Sequence, residues 1–350
     1  MITYKRQQPN TFNTKLRYDW TKMTVQSPLA KDILTHQRNC SLPLGNYYFR
    51  NRFGLGSDLH LWTQGVCNAM RDNVRIRSAL MIKNQPWIYW DEEECKVYST
   101  KRDSILCYFP ESELLCPEDV ELSETDLLNH TTISISASKG CQSLLQKYGE
   151  SNPELGLGDV RAAGIEYLFS KLSTTVIQEA ERQLNLVFPH GVPEHLITVH
   201  MRWGDKKKEM KLRRVGEYVN AVKRILEQQK LPSNKAAVFL ATEDPMALKQ
   251  FTTAVPNDWK VYVDQYYTEM LPFRVDEYNG NPKMSKNLSG KTGLTALGSL
   301  LVAMEANHFV LTTASNWSRL MDELRKQVLD PRCNKCTSSI DLKAPKPGDI

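Results

Sequence analysis

From about residue 190 onward, short apolar runs alternate with amphipathic stretches. Leu196 to Met201 (LITVHM) predicts a buried strand. Val215 to Gln229 predicts a helix, because Val219, Val222, Ile225 and Leu226 recur at helical spacing on one face. AAVFLAT, ending at Thr242, predicts the next strand, and Asp244-Pro245 a helix start, with Asp accepting from free backbone N–H groups and Pro losing no hydrogen bond at the first position. WKVYVD, ending at Asp264, reads as a third strand, and the Gly/Asn/Lys-rich stretch from Tyr278 to Lys291 as a loop. A helix over LTALGSLLVAMEA, a strand from His308 to Thr313 and a closing helix from Trp317 to Val328 complete the pattern. Repeated β-α units of this length imply a parallel, doubly wound sheet.

The first half is less regular. Asp58 to Met70 reads as a helix behind the glycine turn Gly54-Leu55-Gly56-Ser57, while SALMIK and PWIYW, ending at Trp90, read as strands. Asp91 to Asp126 reads as loops, and Ala162 to Leu184 as one long helix joining the halves. A chain of 350 residues fits two domains, here 1–190 and 191–330, with 331–350 as a tail whose APKPGDI end frays.

Composition narrows the function classes. A net charge of +5 over 350 residues is too mild for a dedicated nucleic-acid binder and leaves anionic small substrates open. Neither a membrane span nor a signal peptide is visible in the apolar runs. The eight cysteines are an even number in a chain too long to need stapling, so they leave the redox compartment open. Cys333 and Cys336 form a Cys-x-x-Cys without a second pair, which favours a local disulfide or free thiols over zinc. Sequons at Asn39, Asn129, Asn287 and Asn316 decide little at this length.

Three strand ends carry the candidate chemistry. In VHMRWGDKKKEMKLRR, from Val199 to Arg214, His200 can hydrogen-bond a base or sugar and Arg202 can fork onto phosphate oxygens. The bland reading of Lys207, Lys208, Lys211, Arg213 and Arg214 is a solvated basic face. ATEDP offers Glu243 and Asp244 to ligand hydroxyls or guanine N–H groups, although Asp244 already serves as a helix cap. TTASNWSR, from Thr312 to Arg319, is either a phosphate site at a helix N-terminus or a capping loop.

HMRWGDK, then ATEDP, then TTASNWSR resemble in order and spacing the catalytic domain of the α1,6-fucosyltransferases and their nodulation and protein-O-fucosyltransferase relatives. FGLGSDLHLWTQGVCNAM is similar to the glycine-rich turn and helix near the start of that superfamily's first domain, so the resemblance covers roughly residues 50 to 325. It implies an α/β GT-B fold, two Rossmann-like domains facing across a cleft, and inverting, metal-independent transfer of fucose from GDP-fucose to an N-glycan core-like acceptor held by domain 1–190. His200 matches a guanine contact and Arg202 the diphosphate-gripping arginine. Asp205 and Lys206 match an Asp-Lys pair, and Glu209 lies one residue short of the catalytic glutamate. Glu243 and Asp244 replace two aspartates. Ser315 and Asn316 match a Ser-Gln pair on the β-phosphate, and Arg319 a following arginine. Two departures stand out: Trp203 replaces a second arginine, and Ser299 a guanine-reading aspartate.

This reading assigns catalysis to Arg202, Asp205, Lys206 and Glu209, with Glu209 and Asp205 as candidate bases. Donor binding falls to His200, Arg202, Glu243, Asp244, Ser315, Asn316 and Arg319. No cofactor or metal is expected, because a forked guanidinium and helix-end N–H groups can stabilise the leaving diphosphate. A metal-dependent enzyme would want an Asp-x-Asp, and the nearest sequence, Asp91-Glu92-Glu93, has a solvated acidic loop as its plainer meaning. The expected partners are a nucleotide sugar and a glycan or glycoprotein acceptor, without nucleic acid or membrane contact. The resemblance points to the Golgi lumen, with a soluble cytoplasmic enzyme as the alternative. The rival functions are a same-fold enzyme using another nucleotide sugar, an inactive carbohydrate-binding relative, and a nucleic-acid binder using Lys206 to Arg214.

Overall fold

The computed structural model describes residues 14–48, 53–78, 87–89, 105–110, 112, 116, 131–133, 139–150, 153–208, 211–273 and 280–343. Two parallel sheets organise them. In the smaller, β1 (Leu44–Tyr47) lies between β2 (Arg75–Ser78) and β3 (Thr131–Thr132). Around it run α1 (Pro28–Gln37), α2 (Leu55–Arg71), α3 (Lys139–Gly149), α4 (Leu157–Leu168) and α5 (Thr174–Val187).

The larger sheet contains β4 (Leu196–His200), β5 (Ala237–Ala241), β6 (Lys260–Val263), β7 (His308–Leu311) and β8 (Ser338–Asp341), in the order β6-β5-β4-β7-β8. Its helices are α6 (Val215–Gln228), α7 (Pro245–Ala254), α8 (Gln265–Met270), α9 (Gly280–Asn287), α10 (Lys291–Ala303) and α11 (Asn316–Glu323), the last running into a π-helical turn, Leu324–Leu329. From β4 the chain steps outward to β5 and β6, then returns to β7 on the other side of β4. Open α/β sheets hold ligands in the crevice at such a reversal, beyond the strands' carboxyl ends.

Strand alternation sends side chains into two cores. Ile197, Val199, Val238, Leu240 and Val310 pack with Val222 and Ile225 of α6. On the opposite face Leu196, Phe239, Phe309 and Leu311 join Leu300 and Leu301 of α10, and that core continues unbroken to Trp20, Trp62 and Tyr167 of the first half. The α/β class with parallel sheets is as the periodicity predicts.

Several elements differ from expectation. The single helix over 162–184 is two, α4 and α5. Leu172 and Ser173 donate their N–H groups to Trp20 O and Tyr108 O instead of continuing the helix, and Ser173 Oγ then caps α5. Trp87–Tyr89 is a turn rather than a strand. It is fixed by Trp87 Nε1 donating to Asp58 Oδ2 at 2.8 Å and by glycines at 290 and 293, where a Cβ would lie 1.7 Å from Ile88 O and 1.9 Å from Trp87 O. Of the SALMIK strand, Ser78 ends β2 and residues 79–83 lie outside the described residues, as does most of 91–126. The loop expected over 278–291 contains α9, which buries Met284 and Ser285. The supposed tail supplies β8, whose Ile340 packs on the core shared with α6.

Cys40 pairs with Cys116, Cys67 with Cys141 and Cys333 with Cys336, and Cys107 is also disulfide-bonded. Among the described residues no helix is long and apolar enough to cross a membrane.

Candidate functional site

The reversal between β4 and β7 brings the first and third motifs together. His200, the last residue of β4, is buried, and its Nδ1 lies 2.6 Å from Ser318 Oγ in the first turns of α11. Ser318 Oγ also accepts the Thr312 N–H at 3.1 Å, so one hydroxyl serves both the imidazole and the loop before α11. Burial, reinforced by the charge of Arg202, pushes the imidazole down to about 3, so it is neutral at physiological pH.

The second motif meets the first across adjacent strand ends. Arg202 Nη1 lies 2.5 Å from Glu243 Oε1 and donates to Trp203 O at 2.8 Å. Asp244 caps α7, its Oδ1 accepting from Met246 N at 2.7 Å and Ala247 N at 3.1 Å. Trp203 donates its indole N–H to Arg213 O at 3.0 Å. Arg213 departs from the solvated-face reading, because its guanidinium bonds Glu217 and the carbonyls of Leu342 and Lys343, tying the end of β8 to α6. Lys207, Lys211 and Arg214 are exposed, as that reading predicts. Lys206 stands half-buried in the Gly204–Lys208 turn. The Asp205 side chain and the whole of Glu209 lie outside the described residues.

At the third motif, two helix N-termini without side-chain caps converge. Ser315 precedes α11 and Gly54 precedes α2, neither forming a side-chain cap bond. Asn316 Nδ2 donates to Ser57 Oγ at 2.6 Å, and a Cβ at Gly56 would lie 3.0 Å from the Trp317 ring. Helix N-termini carry partial positive charge and unsatisfied N–H groups, so this junction favours an anion. Arg319 is half-buried beside it and donates to Thr313 O at 3.3 Å. The loop before α11 is anchored by Asp341 of β8, which accepts from Thr313 N at 3.0 Å and Thr313 Oγ1 at 2.5 Å.

Other buried polar groups are paired within the fold. His60 Nδ1 donates to Gly56 O at 2.6 Å and Nε2 lies 2.8 Å from Glu323 Oε2, joining α2 to α11. Asp58 is fully buried, bonded to Trp87, and raised to about 7 by burial. Ser299 Oγ lies against Asp264 Oδ1 and is 2.8 Å from Gln183 Oε1. Burial raises Asp264 to about 6. The sequence reading missed Ser57, Ser318 and Glu323 as partners. The first two lie inside quoted motifs, but nothing in their spacing announces contacts across 259 and 118 residues.

No known sequence family matches the chain, and neither does any curated protein. Among solved structures it is similar to NodZ alpha-1,6-fucosyltransferase soaked with GDP-fucose, at 13% identity and a TM-score of 0.39, and to the same enzyme co-crystallized with GDP, at 13% and 0.42. Each match covers 80% of this chain and 92% of the other. It is also similar to POFUT1 in complex with GDP, at 12% identity and a TM-score of 0.40, covering 86% of this chain and 98% of that one.

The site therefore combines a neutral histidine, a guanidinium held between a carboxylate and a carbonyl, and two convergent helix N-termini at a topological reversal. Such a set suits a diphosphate beside a hydrogen-bonding base or sugar. The described residues here offer no cluster of carboxylates or imidazoles arranged to hold a metal. The one grouping of suitable ligands, Asp330, Cys333 and Cys336, has both sulfurs in a disulfide.

Proposed function

We propose that this chain is an inverting, metal-independent glycosyltransferase that moves fucose from GDP-fucose to a glycan acceptor of N-glycan core type. The observation that carries the reading is the meeting of Arg202, His200 and the α2 and α11 N-termini at the β4–β7 reversal, on the three motifs whose order resembles the fucosyltransferases. As the glycosidic bond breaks, charge develops on the departing diphosphate, where Arg202 and the N–H groups after Ser315 would receive it. His200 would hydrogen-bond the nucleotide through Nε2, Lys206 would neutralise phosphate, and Asp205 or Glu209 would take the acceptor proton on the opposite face of the anomeric carbon.

In this proposal residues 191–330 bind the donor and 1–190 the acceptor, in a GT-B arrangement. The disulfides favour an oxidising compartment such as the secretory lumen. Another nucleotide sugar on the same scaffold is the second reading, favoured by Ser299, whose hydroxyl is engaged with Asp264 and Gln183.

A thermal-shift series with GDP, UDP, CMP and ADP, with and without EDTA, tests the donor. A native-state ligand raises the melting temperature as its concentration exceeds Kd, so a GDP-selective, EDTA-insensitive rise is expected. A rise with UDP or CMP alone would transfer the assignment to another sugar nucleotide, and no response to any of the four would end it.

A further inference from the structure

We propose that Cys333–Cys336 is a thiol-exchange site, reduced and re-formed by small thiols of the glutathione class while the rest of the chain stays folded. The bridge closes over only two residues, Asn334 and Lys335, which are exposed and both left-handed, at φ 55° and 58°. Few L-residues adopt that region, and the two together make a tight, solvent-facing turn. Both sulfur-bearing residues are partly accessible, whereas Cys67 and Cys141 are 1% and 3% exposed.

The two sulfurs differ in their nearest charged group, while Asp330 and both sulfurs lie within 4.8 Å of one another. Arg325, fully buried, places Nη2 3.2 Å from Cys336 Sγ, while Asp330 Oδ1 lies 3.8 Å from Cys333 Sγ. A cation stabilises a thiolate and a carboxylate disfavours one, so Cys336 is the better leaving group. An incoming thiolate attacks Cys333 Sγ, forms a mixed disulfide there, and expels Cys336 as the thiolate against Arg325. A second small thiolate attacks the small-molecule sulfur of that mixed disulfide and releases Cys333, which takes up a proton. The protein gains two electrons and the two small thiols leave joined as their disulfide.

Hydrogen bonds hold the turn beside the bridge. Asp330 O accepts from Cys333 N at 3.3 Å and Lys335 N at 2.9 Å, and Asp330 Oδ1 accepts from Thr337 N at 3.0 Å and Thr337 Oγ1 at 2.5 Å. These bonds keep the thiols close enough to re-form the disulfide. Thr337 also receives Arg325 Nε at 2.9 Å and leads directly into β8, whose Asp341 anchors Thr313. Reduction leaves these bonds in place but removes the covalent tie beside them, so the edge strand should open more readily.

The test is a glutathione redox series on the intact chain, quenched by alkylation and read by mass spectrometry. Reduction of Cys333–Cys336 at ratios that leave Cys67–Cys141 oxidised is expected, with trapped glutathione on Cys333. In the reduced protein, alkylation of Cys336 should show a midpoint below the ordinary thiol value of about 8.5. Faster amide exchange in 338–341 and at Thr313 should accompany reduction. Reduction of Cys333–Cys336 no earlier than Cys67–Cys141, or a Cys336 midpoint at or above that of Cys333, would overturn the proposal. Unchanged exchange in β8 would overturn its coupling to the sheet.

Discussion

Arg202 and Glu243, carried on the ends of neighbouring strands, form an ion pair of 2.5 Å in which the side chains are 17% and 23% exposed. The pair holds the guanidinium at the carboxyl end of the strands, beside His200. Charge-assisted, forked contacts to phosphate are worth about 1.5–3 kcal/mol. Replacing Arg202 by Lys keeps the charge but loses the fork, and is expected to weaken GDP binding about 10- to 100-fold by calorimetry. Glu243→Gln should cost less, about 3- to 10-fold, because it loosens Arg202 without removing it. Equal affinity for wild type and Arg202→Lys would separate Arg202 from the phosphates.

The buried carboxyl of Asp58 makes stability depend on pH. Its folded value near 7, set by burial, exceeds the unfolded value near 4, so the folded state holds a proton that the unfolded state has lost. That contribution is fully present below pH 4 and is lost as pH rises through 7. Asp58→Asn can still accept from Trp87 Nε1 and never ionises. It should be more stable than wild type at pH 8, by about 1–4 kcal/mol, and nearly equal at pH 4.5, in urea unfolding at both pH values. A stability difference that does not change with pH would contradict the burial of this charge.

His200 runs the other way. Its folded value near 3 lies below the unfolded value near 6.5, so acidification charges the unfolded chain first and destabilises the fold between those limits. Ser318→Ala removes the hydroxyl that serves both His200 Nδ1 and Thr312 N–H. The expected cost is about 1–3 kcal/mol at neutral pH, by urea unfolding, together with weaker GDP binding. Full stability in Ser318→Ala would mean that water replaces the hydroxyl.

The glycines against the Trp87–Ile88 turn leave no room for a side chain. A Cβ at position 293 would meet Trp87 O at 1.9 Å, and backbone cannot swing aside as a flexible side chain can. Gly293→Ala should therefore destabilise by about 3 kcal/mol or more, whereas Gly216→Ala, with nothing within 4 Å, should be neutral or stabilising. Comparing their thermal midpoints tests the contact between this turn and α10.

The bridges Cys40–Cys116 and Cys67–Cys141 close loops with separations of 76 and 74 residues. Loop-closure entropy at that length amounts to about 4 kcal/mol in the unfolded chain. Replacing Cys67 and Cys141 together by Ala should lower stability by about 2–5 kcal/mol in urea. A loss well under 1 kcal/mol would indicate that the unfolded chain keeps those segments close without the bond.

The strand ends of the larger sheet were readable because β4, β5 and β7 are buried on both faces and appear as continuous apolar runs. Asp244 was readable as a cap because capping is local. What local pattern could not convey was partnership. Ser318 looks like any hydroxyl on a helix until β7 is known to lie beside β4, and Arg213 looks like surface charge until the carbonyls of Leu342 and Lys343 reach it. The break at Ser173 was hidden for the same reason, since distant backbone acceptors on Trp20 and Tyr108 compete with the helix. β8 was missed because its SSID sequence is short and half-exposed, and only the neighbouring β7 makes it a strand.

The contact between Ser57 and Asn316, with the anchoring of Thr313 by Asp341, has a consequence for biosynthesis. The glycine turn leaves the ribosome long before its partner helix and the edge strand exist, so the two N-termini cannot meet until Asn316 has been made, and Thr313 has its anchor only once Asp341 follows. Contacts of such long sequence separation form slowly. During translation the buried faces of α2 and α4 must wait, exposed, for α11 and the π-helical turn that finally cover them. The nascent chain is thus most in need of chaperone protection just before its candidate site is complete.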